Sequence, residues 1–75
     1  MTFKEATDEL LKRLDHAELA EAMGVSVASI RQARLVREAN AYREPPRDWR
    51  YAVIRLSERR IMECRNLIEA LRQEV

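Results

Sequence analysis

Arg31 and Gln32 stand side by side in the segment Val27-Ala28-Ser29-Ile30-Arg31-Gln32-Ala33. Their side chains suit base edges: a guanidinium grips guanine O6 and N7 with two hydrogen bonds, and a carboxamide does the same at adenine N6 and N7. Val27 and Ala28 have the size and polarity to meet a thymine methyl group, with Ser26 just ahead of them and Leu35 a turn beyond Arg31. The surrounding charge is uneven. Residues 31–60 hold nine arginines against four acids, a net +5, whereas residues 1–24 carry −3 and residues 61–75 carry −1. The overall net charge of +1 therefore conceals a basic middle whose every cation is arginine, the side chain that pairs best with phosphate. A GC-rich genome also enriches arginine, but it does not gather it into one stretch.

Other chemistry is poorly provided for. No nucleophile with an adjacent base, no glycine-rich phosphate loop and no set of metal ligands is discernible, so an enzyme is not expected. Cys64 is the only cysteine and His16 the only histidine, which excludes an intramolecular disulfide and a Cys/His zinc site. The expectation is no metal, no cofactor and no small-molecule ligand. No apolar run approaches the roughly 20 residues of a membrane span, and Met1-Thr2-Phe3-Lys4-Glu5 has none of the marks of a signal peptide. A cytoplasmic protein with no membrane partner is expected.

The elements that must position Arg31 and Gln32 are helices. Glycine and proline are confined to Gly24, Pro45 and Pro46, and no alternating β-branched run is available for a strand, so the fold class is all-α. Thr2 and Glu5 make a capping box for a first helix over about 3–14, with Phe3, Ala6, Leu10, Leu11 and Leu14 on one face. Asp15 and Glu18 repeat that signal for a second helix over 16–23, stapled by Leu14 and Leu19 and stopped by Gly24. Ser26 caps a third helix, 27–38, with Val25 and Ile30 at staple positions. A loop from Asn40 to Arg47 follows. Pro46 then suits the first position of a fourth helix that reaches Arg72, continuous or restarted at Ser57.

Two short helices joined by a three-residue turn with glycine form a helix-turn-helix unit, and residues 16–34 match it position by position. Leu19, Met23, Val25, Ile30 and Ala33 fall where the helices face each other, and Ala20 falls where they come closest. The opposite side of the third helix then presents Ser26, Val27, Ala28, Arg31, Gln32 and Leu35 to a major groove. Phosphate contacts are expected from the amides at His16 and Ala17 and from Arg34, Tyr42, Arg43 and Arg47. His16 is equally well read as a plain surface histidine, and Arg37 better as a member of an intrahelical or core-edge ion pair than as a phosphate contact. Trp49 reads as a core anchor.

The fourth helix carries more apolar surface than a chain of 75 residues can bury. Trp49, Val53 and Leu56 form one stripe, assigned to the core. Ile54, Ser57, Ile61, Cys64, Ile68, Leu71 and Val75 form another at three-four spacing, with Leu67 beside it. Beyond about residue 57 this second stripe is assigned to a second copy, with Ile61, Cys64, Ile68, Leu71 and Val75 as the dimer interface and Cys64 acting as a small apolar group. The resulting organisation is a DNA-binding region over 1–45 and a helix for core packing and dimerisation over 46–75.

Residues 16–35 resemble the lambda-repressor-like, xenobiotic-response-element type of helix-turn-helix regulator. The stretch IRQARL…AYREPPRDWR…L…R is similar to that of short single-domain bacterial or phage members. The resemblance implies operator binding as a homodimer, usually as a repressor, with base contacts at Val27, Ala28, Arg31 and Gln32. Many members have glutamine where this chain has His16, and a polar base reader where it has Val27. A protein-interaction module, such as an antitoxin or adaptor whose helical tail binds another protein, is the alternative reading.

Overall fold

The computed structural model describes residues 1–75 and is all-helical, with four helices in the order α1 (Phe3–Leu10), α2 (His16–Met23), α3 (Val27–Ala33) and α4 (Trp49–Arg72). The N-terminal caps are those expected. The Thr2 hydroxyl accepts from Glu5 N–H at 3.1 Å while the Glu5 carboxylate accepts from Thr2 N–H at 2.8 Å. The backbone amide of Thr2 thereby holds the Glu5 carboxyl below its ordinary value. Asp15 caps α2 by accepting from Glu18 N–H at 2.9 Å, and Ser26 caps α3 by accepting from Ser29 N–H at 3.0 Å. Gly24 ends α2 at φ 67°, and Val25 N–H closes the turn on Ala20 C=O at 3.0 Å. An added Cβ at Gly24 would meet nothing within 4 Å, so glycine is required there by its backbone angle and not by space.

Three boundaries differ from the sequence expectation. α1 stops at Leu10 and not Leu14: residues 11–14 fold into tighter turns, and Arg13 N–H and Leu14 N–H both donate to Leu10 C=O. The turn swings the chain so that Leu14 reaches the core just before Asp15 starts α2. α3 stops at Ala33 and not residue 38, although nothing from Leu35 to Ala39 forbids a helix. The Arg34 side chain is drawn instead toward α1, and Arg43 N–H comes back onto Gln32 C=O at 3.5 Å, so tertiary contacts end the helix. α4 begins at Trp49; Pro46 lies in the preceding turn, its C=O accepting from Trp49 N–H at 3.1 Å. The helix then runs unbroken through Ser57.

The core gathers Phe3, Ala6, Leu10, Leu14, Leu19, Ala20, Ile30, Ala33, Trp49 and Leu56. Leu19 and Ile30 are its most deeply buried apolar side chains and join α2 to α3, while Met23, Val25 and Val53 pack at its margin. Phe3 and Trp49 meet edge to face, centroids 5.3 Å apart, and Arg50 lies over the Trp49 ring. Arg60 fastens α4 further along, donating to Arg13 C=O at 3.1 Å and facing the Glu18 carboxylate at 3.8 Å. Beyond Arg60 α4 leaves the body of the molecule, and every residue from Ile61 to Val75 is exposed. The molecule measures 55 × 22 × 19 Å because of that projecting helix.

Candidate nucleic-acid interface

α3 buries Ile30 and Ala33, which fixes the opposite orientation for the residues between them. Ser26, Ala28 and Arg31 are exposed, and Gln32 is half-buried. The Arg31 guanidinium has no hydrogen bond or ion pair within the chain, so its five donors remain open to a ligand. Val27 also turns partly inward and packs on the core, so only part of its side chain faces out. Leu35 is exposed but lies beyond the end of α3, in a bend. With Tyr42, Ala33, Trp49 and the first residues of α1 it lines a depression of about 590 Å³. The third-helix face is therefore one turn shorter than the sequence suggests, and Leu35 is not part of it.

Around this face the expected phosphate contacts separate into two groups. Arg43 and Arg47 are exposed, and the contact of Arg43 N–H with Gln32 C=O holds Arg43 beside the C-terminal end of α3. Its guanidinium leans on the backbone carbonyls of Asn40 and Tyr42 and meets no acid. Tyr42 is half-buried in the depression beside α1. Arg37 pairs loosely with Glu44 at 3.8 Å, an exposed contact within the loop and neither an intrahelical nor a core-edge one.

Arg34 is a correction. Expected at a phosphate, it is mostly buried and directed to α1: its guanidinium donates to Asp8 at 2.6 Å, to the Thr7 hydroxyl, and to Lys4 C=O at 3.4 Å. Thr7 is itself fully buried and donates to Phe3 C=O at 2.7 Å. Lys4 and then Arg34 hold the Asp8 carboxyl below its ordinary value. This cluster is structural, and the sequence reading missed Thr7 and Asp8. Thr7 sits four residues after Phe3 and three before Leu10, so the helical period alone places a hydroxyl in the apolar face and signals a partner to be found.

At the start of α2, His16 is half-buried and Ala17 exposed. The Asp15 carboxylate takes the third amide, at Glu18, which leaves the amides of His16 and Ala17 outside the helical ladder. The end thus offers donors to an anion, with Asp15 and Glu18 as acids beside them. Of the interface residues assigned to this region, Ile61, Cys64, Ile68 and Leu71 are exposed along one face of the projecting helix, and Val75 is exposed just past its end at Arg72. The chain matches no protein-family model, no curated protein and no solved structure.

Proposed function

We propose that the chain is a sequence-specific DNA-binding transcriptional regulator, a repressor of the helix-turn-helix kind that acts as a homodimer on an inverted repeat. The observation that carries this reading is the free Arg31 guanidinium on the exposed side of a short helix whose other side is locked to α2 by Leu19 and Ile30. A rigid helix of this kind, capped by Ser26 and flanked by unpaired Arg43 and Arg47, has the dimensions and charge to lie in a major groove. Ser26, Ala28, Arg31 and Gln32 then face bases, with the outer part of Val27. Arg43, Arg47 and the amides of His16 and Ala17 face phosphates. In this assembly the exposed α4 stripe is covered by a second copy.

The test is binding to random duplex DNA as salt is raised. Neutralised phosphates release counterions, so the logarithm of the affinity should fall linearly with the logarithm of salt, with a slope of about −0.9 per phosphate contacted. No measurable binding at low salt would sink the proposal. The exposed apolar stripe of α4 also favours the second reading, an antitoxin or adaptor that holds a different protein by its tail. That reading requires the motif to be scaffold only, with no affinity for DNA at low salt.

A further inference from the structure

The projecting half of α4 and the groove at its base fit one another. Ile54, Ser57, Ile61, Cys64, Ile68 and Leu71 occupy the a and d positions of a continuous heptad pattern on α4, and Val75 keeps the spacing just past the helix end at Arg72. The lower part of that face, Ser57 to Cys64, is walled on one side by Leu10 and Leu14, giving an apolar groove of about 650 Å³. The groove has the same chemistry as the tail that projects from it.

We propose that two copies pair α4 antiparallel, with each tail seated in the groove of the other. The inference rests on the homodimer in the reading above, but not on DNA binding. The charges beside the stripe select the direction. In the register that sets Ile61 against Leu71 of the second copy and Cys64 against its Ile68, Glu58 meets Arg72, Leu67 meets Leu67, and Arg60, which also faces Glu18 and Glu63 of its own chain, meets Glu74 in the turn that follows the helix. Both ion pairs occur twice by symmetry, against a single Arg65–Arg65 approach near the axis. A parallel pair would set Arg60 against Arg65 twice and Leu67 against Arg72 twice, with no opposite charges facing each other. Sliding the antiparallel pair by one heptad leaves one kind of ion pair, Glu58 with Arg65, and sets Arg60 opposite Leu67 in one direction, and sets Arg65 opposite Arg72 in the other. The favoured register also puts Leu71 and Val75 of one copy opposite Ile61 and Ser57 of the other, at the apolar floor of the groove.

Two single-cysteine variants, Ile61→Cys and Leu71→Cys, each on a Cys64→Ser background, test the direction. In the antiparallel pair residue 61 lies about 15 Å along the axis from its own counterpart, beyond the roughly 7 Å that a disulfide spans between Cα atoms. Neither variant alone should cross-link on mild oxidation, and an equimolar mixture should. Cross-linking of each variant by itself, or sedimentation of the wild type as a monomer at tens of micromolar, would overturn the proposal.

Exposed charge reversals supply a second measurement that leaves the fold intact, since neither Glu58 nor Glu74 has a partner within the chain. Glu58→Arg should weaken dimerisation about tenfold, and adding Arg72→Glu should restore it. A dimer indifferent to Glu58→Arg would count against the register. The two readings fail separately: a crossed cross-link without DNA binding removes only the regulator, and a parallel dimer that binds DNA removes only this arrangement.

Discussion

Arg31 and Arg34 are three residues apart on one short segment, yet the fold gives them different work. Arg34 is drawn against Asp8 and Thr7 and ties α3 to α1, while Arg31 is left with no partner. Arg31→Ala should therefore cost roughly 1–3 kcal/mol of specific DNA binding and relax the preference at one base position, whereas Arg43→Ala should weaken all sequences about equally. A binding-selection profile unchanged by Arg31→Ala would remove that residue from base reading. The Asp8 cluster makes a separate prediction about pH. Because Lys4 and Arg34 lower the folded-state pKa of Asp8, its stabilising contribution is whole above the ordinary aspartate value and is lost as pH falls through the lowered one. Thermal melts from about pH 6 to about pH 3, at fixed protein concentration, should show an acid-dependent loss in the wild type that is smaller in Asp8→Asn. The variant should also be the less stable of the two at neutral pH, where the Arg34 guanidinium has lost its anionic acceptor.

At the scale of elements, the α2–α3 pair depends on a close approach that Ala20 permits and Gly24 directs. Ala20 is buried to within 4% of full exclusion from solvent, so Ala20→Leu should overpack the contact and destabilise the fold by roughly 1–3 kcal/mol. An unchanged melting transition would mean that the helices do not pack as described. The starts of the first three helices were legible in the sequence, because Thr2, Asp15 and Ser26 satisfy amides within their own first turn and the signal is local. Gly24 was legible for the same reason. The ends of α1 and α3 were not, since they are set by Leu14 turning into the core and by Arg34 reaching across to residues 26 and 27 positions away. The same distinction explains the site. The outward side of Arg31 follows from the helical period, whereas the loss of Arg34 to Asp8 and of Leu35 to a bend requires knowledge of what lies opposite them.

The whole molecule is a small head on a long rod, and that shape sets a spacing once the rods pair. The head is fastened to α4 between Trp49 and Arg60. The middle of that stretch is about twelve residues, or about 18 Å at about 1.5 Å per residue, from residue 66, the centre of the antiparallel register. The two-fold axis lies normal to the plane of the two rods, so a head displaced to one side of that plane has its copy displaced to the same side. Two heads held in this way stand about 36 Å apart along the rods, close to the roughly 34–36 Å of one duplex turn. A dimer that reads an inverted repeat should therefore prefer half-site centres about 10 base pairs apart. Starting from a repeat obtained by binding selection, insertion of about five base pairs at its centre turns the second half-site to the far side of the duplex. The affinity should fall by more than about tenfold, to that of a single half-site, because the rigid rod cannot follow the rotation. Equal affinity for both spacings would show that the heads bind independently, and that α4 does not hold them in register on the operator.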